Sequence, residues 1–247
     1  ARQLYEQPLS QLAALADRLR QENCGDDLAL CSIVNARSGN CSEDCGFCAQ
    51  SAHNSAESET YPMMDAESIV TRARNARDAG SSHFGIVTSG RTLSGAELDE
   101  IVEAIAHIRS DIGLYTCASL GCLEEPDFTK LKDAGLNRYN HNIETSEQFF
   151  DQIVTTHTFE DRVRTVHRAA DAGLTVCCGG IIGMGKTRKD RISMAMTLRD
   201  LPVHSVPINI LMPVEGTPLA DINPLSSVEV LKTVAVFRVM MPDNTIK

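Results

Sequence analysis

Tryptophan is absent from the 247-residue chain and aromatic residues make up only 4% of it. That leaves almost no platforms on which nucleic-acid bases would stack. Positive charge is also scarce: 23 Lys and Arg against 33 Asp and Glu give a formal net charge of −10. A phosphate-backbone binder needs a concentrated basic surface, so nucleic acid is not expected as a partner. No apolar run approaches the roughly 18 residues of a membrane span, and the opening residues do not read as a secretory signal, so no membrane partner is expected either. Cysteine, in contrast, is plentiful, with nine residues. A secreted disulfide scaffold would be much shorter and would pair its cysteines evenly. A reduced, cytoplasmic setting and an enzyme that uses its cysteines fit better.

Hydrophobic residues make up 43% of the chain, enough for one large core. Residues 9–21 read as a helix with Leu12, Leu15, Ala16 and Leu19 on one face, and residues 28–35 as a strand. Residues 36–61 then carry Gly, Ser, Asn and Cys without periodicity, a loop of a length that is usually functional. From there helices are expected at 65–79, 95–110, 124–134, 159–172, 186–201 and 226–240. Strands are expected at 83–88, 112–118, 136–143, 174–182 and 205–211. Three helices end on Ala-Gly (Ala79-Gly80, Ala134-Gly135, Ala172-Gly173), the signature of a C-terminal glycine cap. Serial βα units imply a parallel sheet with right-handed crossovers. A TIM-type (βα) barrel, complete or partial, is favoured over a doubly wound sheet. No linker interrupts the chain, so one domain is expected over 1–247, with an N-terminal helix. Asn244-Thr-Ile-Lys247 reads as the start of a further strand, which suggests a barrel cut short at its C-terminal end.

The densest chemical signal is Cys41-Ser-Glu-Asp-Cys45-Gly-Phe-Cys48, a CxxxCxxC in the long loop. Three thiolates so spaced suit three corners of a [4Fe–4S] cluster, leaving one iron open to a small molecule. A structural zinc site with His53 as fourth ligand, or free thiols, are the alternatives. In a barrel the loops after strands form the active face, which is where this loop sits.

Further along, Asn140, Asn142 and Glu144 alternate along one predicted strand and should share a face, with His141 and Ile143 turned away. Buried polar groups without partners cost kilocalories, so the three either pair with one another or hold a polar ligand. Arg162 follows in a helix, as a ligand-binding fork or a surface ion-pair member. Asn209 stands in an otherwise apolar strand and is expected to be buried. Gly179, Gly180, Gly183 and Gly185 do not form an ordered dinucleotide fingerprint; they fit a close approach to backbone.

The CxxxCxxC spacing is similar to that of the radical S-adenosylmethionine (SAM) enzymes. The runs Asn35-Ala-Arg-Ser-Gly-Asn-Cys41, Cys48-Ala-Gln-Ser51, Tyr139–Ser146, Val176–Gly185 and Val206–Ile210 resemble the biotin synthase family in the family's order. The resemblance implies a [4Fe–4S] cluster on Cys41, Cys45 and Cys48, whose unique iron binds the amino and carboxylate groups of SAM. It implies reductive cleavage to a 5′-deoxyadenosyl radical that abstracts hydrogen from dethiobiotin for sulfur insertion. It places Asn142, Glu144, Arg162 and Ile181 on SAM, with Glu144 where many members carry Asp. Asn140 and Asn209 would face the dethiobiotin ureido group. It further implies an electron donor such as flavodoxin or ferredoxin, and a homodimer.

The sulfur-donating auxiliary cluster is matched only in part. Cys117 and Cys177 fall on two of its ligand positions; the third is Gly85, and the expected arginine would follow Lys247. Cys122 and Cys178 are nearby substitutes, Cys178 on the wrong face, while Cys24 and Cys31 read as structural. Two alternative functions remain at this stage. One is a related radical enzyme without sulfur insertion, of the hydrogenase-maturation or methylornithine-synthase kind. The other is a non-catalytic iron–sulfur or zinc-binding protein.

Overall fold

The computed structural model describes residues 1–247. Helices α1 (Arg2–Tyr5) and α2 (Leu9–Cys24) precede β1 (Cys31–Arg37), the long loop and α3 (Ala66–Asp78). Then come β2 (His83–Thr88), α4 (Gly95–His107), β3 (Tyr115–Ser119), α5 (Glu125–Ala134) and β4 (Arg138–Asn140). A short α6 (Glu147–Phe150) and α7 (Phe159–Asp171) lead to β5 (Thr175–Cys177), β6 (Gly180–Ile182) and α8 (Arg188–Asp200). The chain closes with β7 (Ser205–Val206), β8 (Ile208–Ile210), α9 (Ser227–Met240) and β9 (Thr245–Ile246).

Local chemistry sets most of these boundaries. Asp65 caps α3 by accepting from the Ser68 N–H at 2.7 Å, and Ser94 with Glu97, Thr158 with Asp161 and Thr187 with Asp190 form reciprocal capping boxes. The three Ala-Gly ends behave as expected, with positive φ at Gly80, Gly135 and Gly173. Beyond α4, a π-helical turn Ile108–Ile112 ends on left-handed Gly113, so Ile112 is not in the strand that the sequence suggested.

Seven strands make one all-parallel sheet in the order β1-β2-β3-β4-β5-β7-β9. A doubly wound sheet reverses its strand order at a switch point; this order runs steadily with the chain, as a barrel wall does. β1 and β9 are its free edges, so the barrel is partial. Outward residues such as Val34, Phe84, Ile86, Tyr139 and Val176 pack beneath the helices in the main core. Their neighbours along each strand face the lumen. On the outside, α1, α2 and α9 meet through Tyr5, Leu12, Ala16 and Val236.

Besides 112–118, which begins only at Tyr115, four expected strands are altered. β1 starts at Cys31 rather than residue 28, leaving Leu28 and Leu30 exposed. The run 136–143 leaves the ladder after Asn140. The runs 174–182 and 205–211 each break in two, at Cys178-Gly179 and at Pro207, and their distal halves β6 and β8 pair as a separate two-stranded sheet. Proline has no N–H for the ladder, and a side chain on Gly179 would overlap the Pro207 carbonyl. The two breaks therefore sit against each other.

Candidate active site

The loop after β1 is braced by its own backbone. Cys41 N–H donates to the Gln50 carbonyl at 2.9 Å, and Ala52 N–H returns to the Cys41 carbonyl at 2.8 Å. The Asn54 amide donates to the carbonyls of Cys45 and Cys48 at 3.2 and 2.8 Å. The Asp44 carboxylate ties the loop to the segment before α7, accepting from the N–H groups of Thr155 and Thr156. Three thiols are thus presented by a rigid loop at the C-terminal end of the sheet. Burial pushes the Cys45 thiol up to about 12, Arg162 opposes this, and Cys48, Glu144 and Cys41 add to it. Any metal that binds must displace that proton. His53, the candidate zinc ligand, instead holds the Ser42 carbonyl at 3.0 Å. No three His, Cys, Asp or Glu side chains converge as single-ion ligands, which with Zn–S bonds of about 2.3 Å would have to crowd together. The CxxxCxxC spacing of the trio remains that of three corners of a cluster.

Beside the loop lies a cavity of about 180 Å³ at the ends of β2, β3 and β4, lined by Thr88, Ser119, Asn140, Asn142, Glu144 and Arg162 among others. Three of its lining atoms, Thr88 Oγ1, Asn140 Oδ1 and Glu144 Oε2, are buried without any hydrogen-bond partner. The polar trio therefore does not satisfy itself. Asn142 and Glu144 are each partly engaged, Asn142 Oδ1 accepting from Gly179 N–H at 3.0 Å and Glu144 Oε1 lying 3.7 Å from Arg162. Buried polar atoms left open in a cavity favour a polar ligand there.

Strict alternation does not hold beyond Asn140. His141 also lines the cavity, 3.9 Å from the Cys122 sulfur, because β4 has ended and the chain turns. Glu144 is left-handed at φ 63°. Its N–H donates to the Gly179 carbonyl and its own carbonyl accepts from Ile181 N–H at 2.9 Å. A side chain on Gly180 would overlap that carbonyl. A non-glycine residue in this region is strained, and such strain concentrates at functional sites. Burial pushes the Glu144 carboxyl up, against the pull of Arg162 and Lys186.

Arg162 is turned inward, not into a surface ion pair. Its Nε donates to His157 Nε2 at 2.9 Å and its Nη1 to the Asn142 carbonyl at 3.0 Å, with Glu144 Oε1 at 3.7 Å. His157 Nδ1 in turn meets the Glu43 carboxylate in a short contact. An imidazole that accepts at Nε2 must be neutral and donate from Nδ1; burial and Arg162 lower its pKa accordingly, against Glu43. Glu43 lies between Cys41 and Cys45. The relay Glu43–His157–Arg162 thus links the cysteine loop to the cavity. Neither Glu43 nor His157 stood out in the sequence, since their partner lies 114 residues away.

Lys186 is a second residue missed. It is buried, donates to Thr145 Oγ1 at 3.1 Å, and reaches the Glu144 carbonyl at 3.5 Å. Burial lowers its pKa to about 7. Ile181 is half-buried against Cys45, Met184 and Leu211. Asn209 pairs with Ile181 in the ladder but is exposed, not buried as expected, because β8 is an edge strand. Of the remaining cysteines, Cys117 and Cys177 are buried in the sheet, Cys178 joins the outer core, and Cys24 accepts from Arg238 at 3.3 Å.

A thiol-bearing loop over a polar cavity at the mouth of a partial parallel barrel defines a class. The chain belongs to the radical SAM superfamily, whose family model matches residues 36–198. The Biotin and Thiamin Synthesis associated domain matches residues 207–247. Within the superfamily, the chain belongs to the biotin synthase family. It is 48% identical over 239 residues to biotin synthase from Syntrophotalea carbinolica, covering 96% of this chain and 73% of that protein. It is 48% identical over 232 residues to biotin synthase from Geobacter sulfurreducens, covering 94% and 70%. Among solved structures, methylornithine synthase superimposes with a TM-score of 0.87 at 22% identity, over 99% of this chain and 73% of that one. The FeFe-hydrogenase maturase from Carboxydothermus hydrogenoformans gives 0.85 at 20%, over 98% and 59%. Those two likenesses concern the fold alone. No helix is long and apolar enough to cross a membrane.

Proposed function

We propose that this chain converts dethiobiotin to biotin, with Cys41, Cys45 and Cys48 holding the [4Fe–4S] cluster that serves SAM. When bound, the cluster supplies the electron that opens the SAM sulfonium and so generates the hydrogen-abstracting radical. The chain's own residues bind and orient. In this reading the Arg162 fork takes the methionine carboxylate, a planar bidentate match. Glu144 and Asn142 hold the amino and ribose groups, and Ile181 packs on the adenine. Asn140, its Oδ1 free within the cavity, takes the ureido ring. Asn209 approaches it from the face it shares with Ile181. The cavity walls keep water from the reacting carbon.

The observation that carries this reading is the set of unpartnered Thr88, Asn140 and Glu144 oxygens beside the cysteine loop. Open polar atoms in a cavity are what a bound polar small molecule would satisfy, which a purely structural metal site does not account for. The reading extends to a cytoplasmic enzyme fed by a small reductant such as flavodoxin or ferredoxin, working as a homodimer and carrying an auxiliary cluster that includes Cys117 and Cys177. The test is anaerobic reconstitution followed by reduction with SAM and dethiobiotin. Formation of 5′-deoxyadenosine that rises on adding dethiobiotin is expected. SAM cleavage with no dethiobiotin binding would instead favour a related enzyme without sulfur insertion.

A further inference from the structure

The turn between β6 and α8 buries a cation. Gly183 and Gly185 sit at φ +97° and +87°, a region that L side chains rarely adopt. The residues that follow them, Met184 and Lys186, are both turned inward and buried. The Lys186 ammonium finds only uncharged acceptors: Thr145 Oγ1 at 3.1 Å, the Glu144 carbonyl at 3.5 Å and the Met194 sulfur at 3.8 Å. A buried charge with neutral partners costs stability. Burial accordingly lowers its pKa to about 7; Glu144 opposes this, Arg191 adds to it and Asp190 opposes it. A methionine would fill the same space without that cost, so packing does not account for a lysine here.

What the ammonium touches is the turn that carries Glu144. Thr145 N–H donates to the Ile143 carbonyl at 2.7 Å, closing a three-residue turn with Glu144, at φ 63°, in its centre. Turns of this size with a positive central φ are rare and strained, and they persist only where the surroundings over-determine them. Three contacts do so. Ile181 N–H donates to the Glu144 carbonyl at 2.9 Å, Gly180 approaches that carbonyl too closely for a side chain, and Lys186 holds the carbonyl together with the Thr145 hydroxyl. The first two are backbone contacts; only the third is made by a side chain. The turn directs the Glu144 carboxyl into the cavity, where its Oε2 is buried without a partner. The ammonium also acts on that carboxyl directly: burial pushes the Glu144 pKa up, and Arg162 and then Lys186 pull it down.

We infer that Lys186 is a positioning residue for SAM, clamping the strained turn from behind so that the Glu144 carboxylate faces the ligand. Lys186 itself stays outside the cavity lining and acts through Glu144 alone. The inference rests on the reading that Glu144 contacts SAM, and it adds what holds that side chain in place.

The test is a double-mutant cycle on SAM affinity, read by calorimetric titration of the reconstituted enzyme with iron content as the control. Lys186→Met keeps an unbranched chain of similar volume. It should lower SAM affinity by about 5- to 10-fold, the worth of one hydrogen bond, and raise KM for SAM with kcat unchanged. In a Glu144→Ala background there is no carboxyl to aim, and the same change should cost less than about twofold. Hydrogen exchange of the reconstituted enzyme without SAM gives a readout that needs no ligand. Residues 142–146 should exchange faster in Lys186→Met, while β2 and β3 stay as in wild type. Thermal melting establishes that each variant is folded. Wild-type SAM affinity in folded Lys186→Met overturns the assignment, as does an equal loss in the two backgrounds or unchanged exchange over 142–146. Failure of the underlying reading looks different: Glu144→Ala alone would leave SAM affinity untouched, or dethiobiotin would not bind.

Discussion

Replacing Arg162 by lysine keeps the charge and removes the fork. In the structure one guanidinium is shared between His157 Nε2 at 2.9 Å and the Asn142 carbonyl at 3.0 Å, beside Glu144 Oε1 at 3.7 Å. A lysine ammonium, a point charge on a flexible stem, cannot hold both partners and still present two parallel N–H groups to a ligand carboxylate. The loss is one charge-assisted hydrogen bond, about 1.5–3 kcal/mol. That converts to a SAM affinity lower by roughly 10- to 150-fold. Calorimetric titration of SAM into the reconstituted enzyme measures it, with iron content as a control for the cluster. Glu43→Gln tests the relay one step further out. It leaves Arg162 charged but removes the carboxylate that fixes the His157 tautomer, so a smaller loss of about 3- to 10-fold is expected, the cost of one second-layer contact of about 1 kcal/mol. If SAM affinity in Arg162→Lys stays within threefold of wild type at full iron content, the fork does not bind the ligand and the reasoning fails.

The other predictions follow from single features. Lys186 has its pKa lowered to about 7 by burial, so between pH 7 and 10.5 the unfolded chain binds more protons and its contribution to stability rises with pH; below pH 7 the burial cost is fully present. Lys186→Met should abolish that slope, and the difference in melting temperature between the two chains, followed from pH 6 to 10, should grow in favour of wild type; a constant difference refutes it. Glu144→Gly relieves a left-handed backbone worth about 1 kcal/mol; the apo chain should melt no lower, while SAM binding weakens at least about tenfold through loss of a charged partner. Gly180→Ala puts a methyl into the Glu144 carbonyl and should destabilise by roughly 1–3 kcal/mol in urea unfolding; an unchanged midpoint would show that the β6 approach is loose.

Much of this was legible from local pattern. The Ala-Gly ends and the S/T-x-x-D/E boxes act within one turn of helix, so their signals lie next to the structures they cause. The CxxxCxxC loop is equally local, since its thiols are gathered by a segment bridged to itself between Cys41 and Ser51. The strands that ran on too far in the sequence reading failed for a nonlocal reason. Nothing in 174–182 alone shows that the Pro207 carbonyl sits where a Gly179 side chain would be. Alternation placed Asn140, Asn142 and Glu144 together, and the cavity does gather them, but the turn after β4 brings His141 in as well.

The chain's own residues dictated a serial βα architecture, a three-thiol loop and a scarcity of aromatic and basic surface. Each of these depends on residues within a few positions of one another. Tertiary structure alone decided the Glu43–His157–Arg162 relay, the burial of Lys186 against the strained Glu144, and the facing breaks at Gly179 and Pro207. These depend on strand register and on which loop meets which. That is fixed by packing across the whole barrel, where contacts span a hundred residues and no short window of sequence carries them.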